Sequence, residues 1–285
     1  MIKTSRQLKD KIRNLAKGKS ANAQFLMRSY MMERFLERIS LSEYKSNFVL
    51  KGGVLIASLV GLDFRSTMDI DTTIKGLDVS FAEIERMMRN VVAVPLDDGV
   101  LFEIRSLQNI MEEAPYPAIR VSLRALFDGT ITPLKIDISS GDIITPGAVQ
   151  YSYKLMFEDR YIRILSYNLE TVLAEKLETI VHRHVANTRM RDFYDIYILK
   201  KIYGSEISKQ LLHTALEATA RRRGSIKQLE MAKVALQEIK NSNDMEKLWL
   251  SYRSQYEYAR NIDWHDVMEA VWAAYPKNYS ENNLP

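Results

Sequence analysis

The sequence predicts an α+β protein in two parts, an α+β domain over residues 1–165 and a helical domain over residues 166–285. Three observations carry this. Up to about residue 165, short runs with period-two alternation are punctuated by turn residues and mixed with amphipathic helical stretches. From Asn168 onward the pattern is almost wholly helical. A chain of 285 residues that is 46% hydrophobic can bury one large or two modest cores.

Residues 5–17 read as a basic amphipathic helix, and residues 21–39 as a second, with Leu26, Tyr30, Phe35 and Ile39 at helical spacing. Residues 48–50 form a short apolar strand ending at Lys51. Gly52 and Gly53 let the backbone turn sharply, and residues 54–60 follow as a buried helix. Residues 68–73 read as a strand. Ser80-Phe81-Ala82-Glu83 is a capping-box pattern that opens a helix to about Asn90. Strands are expected over residues 101–107, 118–126 and 132–138, with Asp128-Gly129 as a hairpin turn between the last two. Residues 141–150, which include Pro146-Gly147, read as a loop, and residues 160–165 as a final edge strand. Residues 168–185 are a helix in which Leu173, Leu177 and Ile180 share a face. Its charged residues Glu170, Glu175, Lys176 and Glu178 are mostly expected in solvent. Residues 189–195 open another helix, with Asp192 and Asp195 at i, i+3. Trp249, Tyr252 and Tyr256 share a face and read as core, not as a base-stacking surface. The polar tail after Pro276 reads as frayed.

The net charge of +4 only weakly favours an anionic partner. Its distribution says more. Residues 3–19 hold seven Lys or Arg against one acid, Asp10; Arg183, Arg189 and Arg191 make a second basic group, and Arg221-Arg222-Arg223 a third. Each can bind RNA or phosphate, and each can equally be a solvated helix face. The chain has no cysteine, which excludes disulfides and thiolate metal sites. Met1-Ile2-Lys3-Thr4-Ser5 lacks an apolar signal core, and the longest apolar runs fall short of the ~20 residues a membrane span needs. A soluble cytoplasmic protein with no membrane partner is expected. Neither a G-x-x-x-x-G-K-[ST] loop nor a G-x-G-x-x-G fingerprint occurs. His182 and His184 are two apart on a helix and point in different directions, so no catalytic histidine is expected, and zinc-ligand spacing is absent.

The chemistry concentrates between residues 48 and 73. Gly52-Gly53 is followed twelve to eighteen residues later by Arg65-Ser66-Thr67-Met68-Asp69-Ile70-Asp71. Gly-Gly brings the backbone close to a ligand, and the N-terminus of the following helix offers free N–H groups to phosphate oxygens. On a strand, Asp69 and Asp71 face the same side with Cα atoms roughly 6.5 Å apart. Both carboxylates can then converge on one Mg²⁺, or on two ions about 3.5–4 Å apart. Lys135, Asp137 and Ser139 alternate with Ile136 and Ile138, so a third carboxylate, Asp137, shares a polar strand face and can complete the site.

Val49-Leu50-Lys51-Gly52-Gly53 followed by Arg65-x-Thr67-x-Asp69-Ile70-Asp71 resembles the first motif of the AbiEii/AbiGii toxins. The resemblance continues through Lys135-Ile136-Asp137-Ile138, Gly141-Asp142-Ile143-Ile144-Thr145-Pro146, Leu173-Ala174-Glu175-Lys176-Leu177-Glu178 and Arg191-Asp192-Phe193-Tyr194-Asp195. It implies a nucleotidyltransferase fold like that of DNA polymerase β, a mixed sheet with flanking helices, in a toxin of a bacterial abortive-infection, type IV toxin–antitoxin system. The implied reaction moves a nucleotide from a nucleoside triphosphate, GTP or CTP, to an RNA acceptor, tRNA, with Mg²⁺ and release of pyrophosphate. The implied roles put Asp69, Asp71 and Asp137 at the metal and Gly52, Gly53, Arg65 and Thr67 at the phosphates. Lys176 and one aspartate of the last motif complete the site, with Asp192 favoured over Asp195. A small-molecule or protein acceptor, or a nucleotide-binding regulator without transfer, is the alternative. The implied partner is a cognate antitoxin encoded nearby, without a stable complex, and the toxin is expected as a monomer.

Overall fold

In the computed structural model, which describes residues 2–17, 22–110 and 118–276, the alternating segments pair into one sheet. Lys19, Ala21 and the tail after Pro276 lie outside the described residues. The strands are β1 (Phe48–Lys51), β2 (Ile70–Ile74), β3 (Val100–Ile110), β4 (Ala118–Phe127), β5 (Thr130–Ser140), β6 (Val149–Lys154) and β7 (Tyr161–Ser166). They lie in the order β3-β4-β5-β2-β1-β7-β6. The β1–β7 and β2–β5 pairs are parallel and the others antiparallel, so the sheet is mixed.

Asp128 (φ 42°) and Gly129 (φ 74°) both sit in the left-handed region. A two-residue hairpin needs this, because only such turns match the right-handed strand twist. The turn pairs Phe127 with Thr130 and thereby sets the register back to Ala118 opposite Ser139. Leu134, Ile136 and Ile138 then bury on one face with Val121, Leu123 and Ala125, while Lys135, Asp137 and Ser139 face the other way.

Four helices belong with this sheet: α1 (Ser5–Ala16), α2 (Ala23–Leu41), α3 (Gly52–Val60) and α4 (Phe81–Val92). Thr4 and Gln7 cap α1 reciprocally, and only Leu8 and Ile12 of α1 are buried. α2 packs on α1, α4, β5 and β7 and is buried around most of its circumference, charged residues included. Arg34, Glu37 and Arg38 are paired there, as the burial of a charge requires. Arg38 donates to both oxygens of Asp98 at 2.7 and 2.9 Å, and Arg34 meets Glu37 and Glu158 at 3.0 Å each. At α4, Ser80 accepts from the Glu83 N–H at 3.3 Å, but the Glu83 side chain pairs with Arg86 and leaves the capping box half made.

Several expected boundaries move. β2 begins at Ile70, leaving Asp69 in the bend before it, because pairing with β5 starts only at Ile70 opposite Ile136. α3 begins at Gly52, two residues early. The strand expected at the sheet edge is β7, which lies inside, between β1 and β6. The edge is β6, whose first residues fall in the expected loop. It is mostly exposed and so lacks a buried face to announce it.

Two compact units are defined, one of residues 1–142 and 148–167, the other of residues 143–147 and 168–285. In the second, Thr145 is tied to the start of α5 (Leu169–Arg183). Asn168 Nδ2 donates to the Thr145 carbonyl at 2.7 Å, and the Thr145 N–H donates to Thr171 Oγ1 at 3.1 Å. The chain continues through α6 (Met190–Tyr203), α7 (Lys209–Arg223), α8 (Ile226–Glu230), α9 (Ala232–Asn241), α10 (Asn243–Gln255) and α11 (Trp264–Ala274). Its aromatic core joins Trp249 to Tyr252 (ring centroids 5.3 Å) and Phe193 to Trp264 (5.4 Å), and the Trp249 indole N–H donates to the Ile262 carbonyl at 2.9 Å. Tyr256, half-buried, stacks on Tyr258 instead of joining the deepest layer. The charges of α5 are not mostly in solvent. Glu170 and Glu178 are buried, Glu170 accepting from the Ser208 N–H at 2.9 Å and Glu178 from Arg223 and Ser225 at 2.6 Å each.

Candidate active site

The site of the first unit is built on the polar face of the sheet. β1 delivers Lys51 opposite Asp71 of β2, and β2 sets Asp71 beside Asp137 of β5. Cross-strand partners share a face, so Lys51, Asp71 and Asp137 form one row. At the end of β1 the backbone turns through Gly52, φ 62°, directly into α3. No other residue fits at the two glycines. A Cβ on Gly52 would strike the Asp71 carboxylate and lie 2.7 Å from the Asp71 Cβ, and one on Gly53 would lie 2.9 Å from the Thr67 Cβ. The Gly53 N–H donates to Asp71 Oδ2 at 3.2 Å, which binds the turn to the carboxylate. Arg65 is only 3% exposed; it donates to the Ser66 carbonyl and its guanidinium lies against Gly53. Thr67 is also buried. Arg65 and Thr67 are thus brought to the turn as its packing support.

Burial pushes the Asp71 carboxyl up, against the Gly53 N–H and the Lys51 charge, and the neighbouring Asp137 and Asp69 push it further. A divalent cation would relieve that excess of negative charge, and hard carboxylate oxygens suit Mg²⁺. Asp69 and Asp71 fit this role. Asp137 is differently placed, because Arg120 of β4 donates to both its oxygens, Nε and Nη2 at 2.7 Å each. Among the described residues no three acidic, histidine or cysteine side chains cluster to hold a metal.

Motif reasoning passed over Lys51, Asp142 and Arg120. Lys51 Nζ donates to Ser139 Oγ at 2.9 Å and to Asp142 Oδ2 at 2.5 Å. Burial works to raise the Asp142 carboxyl, but the Lys51 charge and hydrogen bond, with the Ser139 and Thr73 hydroxyls, hold it below its usual value. This network fixes the last residue before the Gly-Gly turn. Lys51 and Asp142 both stand inside the motifs quoted above, which was the available signal.

The other candidate residues belong to the second unit. Lys176 of α5 reaches both Asp192 and Asp195 of α6, Nζ to oxygen 2.7 Å in each case. The sequence left these two aspartates unresolved, and both are engaged. They differ in exposure: the Asp195 side chain is 0% exposed and the Asp192 side chain 16%. Arg191 donates to the Tyr256 hydroxyl at 2.9 Å and lies over its ring. His184 meets Glu238 at 2.8 Å.

A mixed sheet with a Gly-Gly turn packed on the second carboxylate of an Asp-x-Asp motif suits a nucleotidyltransferase, and solved structures agree at the level of the fold. MenT4, a nucleotidyltransferase toxin of Mycobacterium tuberculosis H37Rv, superposes with a TM-score of 0.56 at 13% identity, over 93% of this chain and 98% of that one. JHP933 of Helicobacter pylori gives 0.51 at 15% identity, over 89% of each chain. A further Helicobacter pylori protein, described as a candidate nucleotidyltransferase, gives 0.50 at 16%, over 89% and 92%. No curated protein matches by sequence. The profile of the nucleotidyl transferase AbiEii toxins of type IV toxin–antitoxin systems matches residues 34–273, and the chain belongs to that family. It is a nucleotidyltransferase toxin, and the family implies a nucleoside triphosphate, a divalent metal and a cognate antitoxin. No helix among the described residues is long and apolar enough to cross a membrane.

Proposed function

We propose that this toxin transfers a nucleotide from GTP or CTP, with Mg²⁺, to the end of an RNA, tRNA, and releases pyrophosphate. The observation that carries the reading is the Asp71 carboxylate, crowded by Asp69 and Asp137 and bound to the Gly53 N–H at the mouth of α3. A phosphate-binding turn and a cation-binding pair are there a single construction. The ion, when bound, neutralises the phosphates and polarises the α-phosphorus for attack. Asp69 and Asp71 would hold it. Gly52 and Gly53 let the phosphates approach the backbone, and Arg65 and Thr67 keep the turn in shape. Lys176 offsets charge that develops on the phosphates. A carboxylate, Asp192 or Asp137, receives the proton of the attacking hydroxyl. The basic residues of α1 and Arg189 suit a polyanionic acceptor better than a cationic drug. The toxin is proposed to act as a monomer in the cytoplasm, with the antitoxin opposing it without a stable complex.

The test is incubation with Mg²⁺, each labelled nucleoside triphosphate in turn, and total tRNA, with Asp69→Ala and Asp71→Ala as controls. Label is expected in RNA with the wild type and one nucleotide, and to be lost in both variants, which keep the wild-type melting curve. Transfer at the wild-type level by either variant would remove the metal role. Triphosphate binding with no label in RNA would move the acceptor to a protein or small molecule.

A further inference from the structure

The polar row on the sheet does not stop at the carboxylates. Lys51, Asp71, Asp137, Arg120 and Gln108 are successive cross-strand partners on β1, β2, β5, β4 and β3. Neighbouring strands lie about 4.8 Å apart, so Arg120 stands roughly 10 Å from the strand of Asp71. It lies on the side away from the Gly52-Gly53 turn. Its guanidinium grips Asp137 side-on through Nε and Nη2, which turns Nη1 away from the carboxylate. The Arg120 side chain keeps 31% exposure. On the same face, towards the Asp128-Gly129 turn, follow Ser122 opposite Lys135 and then Arg124, with Lys135 and Arg124 exposed.

In a displacement at phosphorus the attacking and leaving oxygens lie roughly in line on opposite sides. With the leaving phosphates at the Gly52-Gly53 turn, the attacking hydroxyl enters over β5 and β4. The cations met there are Arg120, Lys135 and Arg124. We propose that Arg120 binds a backbone phosphate of the incoming RNA strand, that Asp137 is the anchor fixing its guanidinium, and that Lys135 and Arg124 extend the track. This rests on the RNA-acceptor reading above. Asp137, held at both oxygens, then serves as a positioning residue.

The experiment uses the full chain as wild type, Arg120→Ala, Arg120→Gln and Arg120→Lys. It measures kcat, KM for tRNA and KM for the triphosphate. It also measures Kd for a labelled single-stranded RNA oligonucleotide at several salt concentrations, with thermal melting as the folding control. Arg120→Ala and Arg120→Gln should raise the tRNA KM about tenfold or more, as for a lost charge-assisted hydrogen bond, and leave the triphosphate KM unchanged. The slope of log affinity against log salt should fall by about 0.7, one phosphate contact on a single strand. Arg120→Lys should keep the slope and regain part of the affinity. An unchanged tRNA KM and slope, or a rise confined to the triphosphate KM, overturns the assignment while leaving RNA transfer standing. A wild type that neither labels nor binds RNA overturns the RNA reading and this inference with it. If it binds without labelling, the Kd and salt slope of the Arg120 variants decide the assignment alone.

Discussion

Glu33 lies inside α2, buried, with the Met156 N–H donating to its two oxygens at 3.0 Å each. Burial pushes its carboxyl from the usual 4.5 up to about 8. The Met156 N–H and Arg34 work against the shift, and Glu158 and Glu37 add to it. The sign follows from linkage. The folded state holds this proton more tightly than the unfolded state, so the contribution is fully present below about pH 4.5 and is lost as pH rises through about 8. Glu33→Gln keeps the acceptor and the shape but carries no titrating proton. The variant should match the wild type at pH 4 and melt at a higher temperature at pH 9, with the gap opening between those values. A melting difference that does not change with pH would show that Glu33 is ionised in the fold throughout. The same physics acts on Asp71, but there the excess charge faces the Gly52-Gly53 turn, where the proposed metal ion would make it useful and not merely costly.

The pairing of α5 with α6 sets two aspartates on one lysine, and their burial divides their tasks. Asp195 is 0% exposed, so removing its charge leaves Lys176 a partner short in a dry setting; Asp192, at 16%, keeps contact with solvent, as the proton-accepting role proposed for it requires. Asp195→Asn should therefore cost stability, up to the roughly 3–5 kcal/mol of a broken buried pair. Asp192→Asn leaves Lys176 its buried partner Asp195 and should cost less, about 2 kcal/mol, and lower kcat at least tenfold, by urea melts and initial rates on the same preparations. The reverse pattern would exchange the two roles. Strand-level periodicity made β4, β5 and their turn legible, because a buried face alternates with a wet one. It also held the Arg120–Asp137 contact unread: eight residues back from Asp128 on one strand and eight forward from Gly129 on the other are directly opposite. β6 was illegible because an edge strand with one residue buried has no such alternation. The burial of Arg65 was equally hidden, since its cause is packing against Gly53 from twelve residues away.

Over the whole molecule, a net charge of +4 says little until each cation is matched with its surroundings. The third basic cluster, read from sequence as able to bind RNA, is largely spent within the second unit. Arg221 pairs with Glu217, and Arg223 meets Glu175 at 3.0 Å and the buried Glu178 at 2.6 Å. In the first unit Lys3 pairs with Asp97 and Arg13 with Asp10, both between exposed side chains, where such pairs contribute little to stability, as does the exposed Arg221–Glu217 pair. On the RNA reading proposed above, phosphate then meets the exposed cations of α1 and the β4–β5 face, and not Arg223, which is tied to the buried Glu178. Arg223→Ala tests this division. It strips Glu178 of its partner, so stability should fall by about 2 kcal/mol. That is below the roughly 3–5 kcal/mol of a fully buried pair, because Arg223 keeps 30% exposure and water can partly replace it. RNA affinity and its salt slope, measured where the variant is folded, should stay at the wild-type values. A flatter salt slope with unchanged melting would mean that Arg223 meets phosphate after all, and would return the arginine run to the RNA-binding surface.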